Sequence, residues 1–178
     1  MPRLFFGLEL PANLKQQLLR LRVPVTGARW QSRHQLHLTL VFLGQVPAPA
    51  LPALLAAAAG VRGAPFELEV RGLGTFGPPE QPRNLWAGVV PETPVAELHH
   101  RLVTAMGAAG VATESRRFRP HITLARFARP AGSVVRLLAA RADTGFGRWP
   151  VSEFVLFDST PGAGGSVYTV RRRFPLMA

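Results

Sequence analysis

Apolar and polar residues alternate, or branched apolar residues cluster, over Arg3–Glu9, His37–Leu43, Phe66–Leu73, Leu85–Val90, His121–Phe127, Val151–Asp158 and Ser166–Phe174, and each segment is predicted to be a strand. Between them the period lengthens to that of a helix. Leu14, Leu18 and Leu21 share one helical face after Pro11, a residue tolerated at a helix start. Leu51–Ala59 is rich in Ala and Leu and stops at Gly60, and a third helix carries Leu98, Leu102 and Met106. A fourth begins near Ser133, which suits an N-cap, and runs through Val134, Leu137 and Leu138 to about Ala142.

After the first strand, the order helix, strand, helix, strand, strand occurs twice. The interval from His37 to Phe66 is 29 residues and that from His121 to Trp149 is 28, each holding one helix and leading into the next strand. Such self-similarity predicts an internal duplication. No low-complexity linker separates the copies, so residues 1–178 are expected to form a single α+β domain of two related lobes that face each other.

The copies share a short motif, His37-Leu38-Thr39-Leu40 and His121-Ile122-Thr123-Leu124. Side chains alternate along a strand, so in each motif the histidine and threonine share one face and the apolar residues belong to the core. One His-x-Thr in a strand is usually a packed polar pair. Two in equivalent positions are harder to explain by packing, which would keep the leucines without needing the histidine. Facing each other, the motifs would gather two imidazoles and two hydroxyls in one groove. That set suits displacement at phosphorus: one imidazole takes a proton from the nucleophile while the other gives one to the leaving oxygen. The Thr39 and Thr123 hydroxyls can donate to the non-bridging oxygens, where charge accumulates. None of these roles needs a metal or a cofactor.

Composition narrows the substrate. Of the 178 residues, 47% are hydrophobic and 17% charged, which suits a packed core. No run approaches a membrane span, and the apolar patch Leu4–Leu8, ended by Glu9, is too short for a signal peptide. The chain has no cysteine, which excludes disulfides and thiolate chemistry, so a cytoplasmic protein is expected. The formal charge of +11 points to a polyanion, nucleic acid before membrane. Lys15 is the only lysine, but the abundance of Ala, Gly and Pro shows a codon bias that also favours arginine. The net charge, not the identity of the cation, carries the inference.

Other features are weaker. His34 and His37 form an H-x-x-H, yet a metal site generally wants three or more ligands. His99 and His100 fall on a helix, where a solvated or partly packed role is expected. Gly162–Gly165 lacks the Lys-Ser/Thr ending of a P-loop and reads as a hairpin turn. Arg171–Arg173 suits either RNA contact or a charged edge strand.

The chain resembles the two-histidine phosphoesterases, and within them the RNA 2′,3′-cyclic phosphodiesterase or 2′-5′ RNA ligase family. The resemblance is carried by Arg3-Leu4-Phe5-Phe6-Gly7-Leu8-Glu9, by Leu36–Leu40 followed by Phe42-Leu43-Gly44, and by Gly72-Leu73-Gly74 with Phe76. Leu85-Trp86-Ala87-Gly88-Val89, Phe118–Arg126, Tyr168 and Phe174-Pro175-Leu176 complete it. It implies a bilobal fold, with antiparallel sheets flanking a central groove and helices outside. It also implies hydrolysis of RNA 2′,3′-cyclic phosphate ends to 2′-phosphates by a monomer. On it, His37 would be the general acid, His121 the general base, and Arg126 a phosphate ligand. In a regular strand Arg126 has the opposite parity to His121, so its reach requires a bend or a neighbouring approach. Phe5 lies in a segment the family places beside the groove, where an aromatic ring can stack on a base, although core packing suits it better; Trp30 poses the same choice. Ligation of the same ends to a 5′-hydroxyl, or non-catalytic RNA binding, are the alternatives.

Overall fold

The computed structural model describes Met1–Ala178. Nine strands make one antiparallel sheet: β1 (Arg3–Glu9), β2 (Ala28–Trp30), β3 (His37–Gln45), β4 (Phe66–Phe76), β5 (Asn84–Val90), β6 (Ile122–Phe127), β7 (Gly145–Val151), β8 (Glu153–Gly162) and β9 (Gly165–Pro175). The helices are α1 (Ala12–Leu19), α2 (Leu51–Ala59), α3 (Thr93–Ala108) and α4 (Val135–Arg141). The strand order is β7-β4-β5-β6-β3-β1-β8-β9, with β2 on β6. At its centre β3 and β6 share a single register pair, Leu38 with Ile122, before they diverge. The two lobes meet at that point. The α+β architecture expected from the sequence is the one observed.

The helical stripes cover the core side of the sheet. Leu14 and Leu18 of α1, Leu54 of α2, and Val95, Leu98, Leu102 and Met106 of α3 are buried in one cluster with Leu38, Leu40, Ile122 and Leu124 of the two motif strands. A fully buried leucine such as Leu38 contributes roughly 1.5–3 kcal/mol by leaving water. The apolar half of each motif therefore anchors its strand, which leaves the histidine–threonine half on the opposite side.

The structure differs from the sequence reading in several places. The three-residue β2 is too short for alternation to reveal. β7 carries Gly145, Gly147 and Pro150, residues that ordinarily mark turns. The predicted strand Val151–Asp158 is really the end of β7 and the start of β8, separated at Ser152. The N-cap position of α4 is Val134, one residue later than expected, although Ser133 Oγ does accept a hydrogen bond from the Val135 N–H at 3.2 Å. Nor do the lobes follow the two halves of the chain. β3 sits with β1, β8 and β9, while β4 and β5 sit with β6 and β7, because α2 carries the chain from one lobe to the other. The glycine-rich segment is a hairpin turn, with Gly162 paired to Gly165. β9 is an edge strand, on which Arg171 pairs with Asp158 and Arg173 with Glu9 and Glu153.

Candidate active site between the paired strands

The Leu38–Ile122 pair sets the geometry of the site. Through it the two motifs lie side by side in antiparallel sense, on strands that diverge from this point. Each histidine is held the same way from behind. His37 Nδ1–H donates to the Gln35 carbonyl at 2.6 Å, and His121 Nδ1–H donates to the Arg119 carbonyl at 2.7 Å. A carbonyl only accepts, so Nδ1 carries the proton in both neutral rings and Nε2 carries the lone pair. The Thr39 hydroxyl donates to His37 Nε2 at 2.9 Å, whereas His121 Nε2 and the Thr123 hydroxyl have no protein partner.

Aromatic rings pack around both imidazoles. Phe5 and Tyr168 lie 4.9 Å from the His37 ring, and Phe76 lies 4.9 Å from the His121 ring with Trp86 behind it at 6.1 Å. Burial opposes the charged form. It holds the His37 pKa down at about 4, with the Gln35 carbonyl acting against it and the charges of Arg126, His121 and Lys15 adding to it. The His121 pKa is lowered as well, by burial first, against the Arg119 carbonyl and with Arg126 and Arg119 contributing. The Arg126 guanidinium thus lies close enough to act on both imidazoles.

A β-bulge in each motif explains how Arg126 reaches them. Phe6 pairs with Val41 and Gly7 with Thr39, so Leu40 has no partner; Leu85 pairs with Ala125 and Trp86 with Thr123, so Leu124 has none. An extra residue reverses the alternation. Leu40 and Val41 are both buried, as are Leu124 and Ala125, and the next residues, Phe42 and Arg126, return to the side of the histidines. Of the two routes the sequence left open, the structure shows a bend, and it falls at the leucine of the motif itself.

Thr39, His121 and Arg126 line an open cleft of about 960 Å³, together with Phe42, Arg83 and Asn84. His37 borders it through Thr39. Phe5 does not reach it: only 3% exposed, it packs on Phe157 and under the His37 imidazole, so it has no free ring face and its base-stacking role is withdrawn. Trp30 is half-buried on β2 and donates to the Val23 carbonyl at 3.0 Å. His34 is exposed, and nowhere do three His, Asp or Glu side chains converge as a metal site would require. His99 is more engaged than a solvated helix position implies. It lines the cleft, donates from Nδ1 to the Leu40 carbonyl at 2.6 Å and stacks on Phe118 at 4.0 Å.

Sequence reasoning missed Phe42, Gln35 and the packing role of Tyr168. Phe42 could have been found by aligning the copies, since it follows His37 by the same five positions as Arg126 follows His121. The Gln35 side chain bridges from the Ser32 N–H to the Ser166 carbonyl of the β8–β9 hairpin, a contact between distant segments that no local pattern encodes.

Fold and cleft together define a two-histidine α+β protein. The chain belongs to the 2′-5′ RNA ligase superfamily, whose family model matches residues 10–162. It is 36% identical to the RNA 2′,3′-cyclic phosphodiesterase of Thermus thermophilus over 98% of this chain and 90% of that protein. It is 32% identical to the Escherichia coli protein of the same name, over 98% and 96% respectively. Among solved structures, E. coli LigT in complex with 3′-AMP superposes with a TM-score of 0.84 at 32% identity, covering 100% of both chains.

Proposed function

We propose that this chain hydrolyses RNA 2′,3′-cyclic phosphate ends to 2′-phosphates, with His121 as general base, His37 as general acid, and Thr39, Thr123 and Arg126 holding the phosphate. The observation that carries the reading is the pair of imidazoles fixed in the same tautomer on strands that meet at Leu38 and Ile122, with one guanidinium acting on both. The relatives' names give the substrate class.

In the proposed reaction, water attacks phosphorus as His121 Nε2, free of any protein partner, takes its proton. The bond from phosphorus to O3′ breaks, and His37 Nε2 delivers a proton to that oxygen. Because its pKa in the free protein is about 4, His37 is neutral at neutral pH and gains its proton as substrate binds. The anionic phosphate favours the imidazolium, and by pairing with Arg126 it also cancels the charge that opposes protonation. Threonine hydroxyls and the Arg126 fork then stabilise the oxygens that gain charge in the transition state. Proton transfer to or from each imidazole is worth typically ~10²–10⁴-fold. The same reading takes residues 1–178 as one catalytic domain with an internal duplication, working as a cytoplasmic monomer.

The test is hydrolysis of a short RNA ending in a 2′,3′-cyclic phosphate in excess EDTA, comparing wild type with His37→Ala and His121→Ala. A 2′-phosphate product from wild type, with either variant slowed by ~10²-fold or more while still folded, is the expected result. Undiminished turnover in either variant would exclude the two-histidine mechanism.

A further inference from the structure

The cleft is larger than a cyclic phosphate and its ribose require. At about 960 Å³ it lies at the top of the ~300–1,000 Å³ range usual for ligand sites. Beyond the histidines its far wall is built by α3 and by the loop that leads from α3 to His121, which brings Arg116 and Arg117 to the cleft. The end of this loop is pinned at two neighbouring points. Phe118 stacks flat on His99, with ring centroids 4.0 Å apart and planes 5° apart, and His99 is itself bonded to the Leu40 carbonyl. The Arg119 guanidinium lies over the Trp86 ring at 4.9 Å. Arg116 and Arg117 immediately precede these anchors, are exposed and form no ion pair. The two carboxylates of the same wall, Glu92 and Glu114, are not paired with them either, so both guanidiniums keep their full charge toward the cleft. Arg116 stands five residues before His121, which even a fully extended chain keeps within roughly 18 Å of the histidine.

We infer that Arg116 and Arg117 form a second anion subsite, which takes the phosphodiester joining the terminal nucleotide to the one before it, so that the substrate is an RNA chain and not a cyclic mononucleotide. The inference rests on the proposed hydrolysis of cyclic ends. An internucleotide phosphate is the ligand that such a site fits: a monoanion at a fixed distance along the strand from the reacting end, for which the planar guanidinium offers bidentate hydrogen bonds.

The experiment compares kcat/KM for a cyclic mononucleotide, for a dinucleotide ending in a 2′,3′-cyclic phosphate, and for the same dinucleotide with a neutral methylphosphonate at the internal linkage. Wild type is expected to prefer the charged dinucleotide by roughly tenfold or more, given the strength of charge-assisted hydrogen bonds. It should treat the methylphosphonate like the mononucleotide. An Arg116→Ala/Arg117→Ala variant is expected to lose the preference while its mononucleotide turnover stays at the wild-type rate. Equal kcat/KM for mononucleotide and charged dinucleotide in wild type, or a preference that survives in the variant, would overturn the subsite and leave the catalytic reading standing. Failure to hydrolyse any of the three substrates would overturn both.

Discussion

Arg126→Ala probes the phosphate-binding reading most directly, because two independent effects of one side chain are lost together. Arg126 is exposed, forms no ion pair and follows the bulge at Leu124, so its removal leaves the core intact; the stability change should stay within about 0.5 kcal/mol. A hydrogen bond to a charged group contributes about 1.5–3 kcal/mol, and each 1.36 kcal/mol is tenfold, so kcat/KM should fall roughly 10- to 150-fold. The second effect is on pH dependence. The guanidinium lowers the pKa of both His37 and His121, because a neighbouring cation disfavours an imidazolium. Its loss should raise both, moving both limbs of the kcat/KM profile to higher pH. Arg126→Lys keeps the charge but loses the fork, so it should show an intermediate rate with limbs near those of wild type. The assay is initial-rate hydrolysis of a cyclic-phosphate dinucleotide from pH 4 to 9 for the three proteins. A kcat/KM within threefold of wild type, with limbs that do not move, would refute the placement of Arg126 beside both imidazoles.

Three further outcomes are expected. Both imidazoles are lowered below 6.5 in the free protein, so wild-type kcat/KM should peak on the acid side of pH 6.5 and decline above it as the proton of the general acid is lost. The kcat profile, which reports the complex, should lie at higher pH, and a kcat/KM plateau extending to pH 8 would contradict the assignment. The low His37 pKa also predicts a stability effect: between about 4 and 6.5 the unfolded chain binds the extra proton, so His37's contribution is complete above 6.5 and is lost as pH falls to 4. Urea melts at pH 7 and pH 4 should show a difference larger by up to about 3 kcal/mol in wild type than in His37→Gln, and equal differences would count against the burial account. Gly74→Ala would put a methyl group 2.3 Å from the Trp86 ring, which backs His121; overpacking should cost about 1–3 kcal/mol and reduce turnover, as thermal melts and rates would report.

Much of this site was legible because its two halves repeat. The motif marked the two strands that meet at Leu38 and Ile122, and strand parity put Leu38, Leu40, Ile122 and Leu124 in the core; of the polar half, Thr39 and His121 line the cleft while His37 and Thr123 do not. Parity then failed at Arg126, where the bulge at Leu124 returns the side chain to the cleft. A bulge depends on which residue of the neighbouring strand is skipped, and that is a property of pairing that no single strand encodes. For Phe5 the core-packing reading is the one the structure shows, for a reason local sequence does not carry. Its segment does border the histidines, but the β8–β9 hairpin brings Phe157 and Tyr168 over it from more than 150 residues away, and those rings cover the faces a base would need. β7 stayed hidden because Gly145, Gly147 and Pro150 weaken any strand signal, while its pairing with β4 supplies what local propensity lacks.

The bulges also make the surroundings of two like motifs unlike. Up to the bulge the halves match: a backbone carbonyl on Nδ1, a histidine, a threonine two residues on, and a leucine left out of the ladder. The first residue to return to the cleft differs. It is Arg126 in one half and Phe42 in the other, the latter with the Arg3 guanidinium 5.2 Å from its ring. A cation in both places would depress both imidazoles further and leave no apolar wall; an aromatic ring in both would leave the phosphate without its fork. With one of each, a single guanidinium acts on both imidazoles, and His121 Nε2 keeps no protein partner. The His37 side is more tightly packed and is bonded through Thr39. The shared motif supplies the two imidazoles, and the residue after each bulge, with the deeper burial of His37, makes their surroundings unlike.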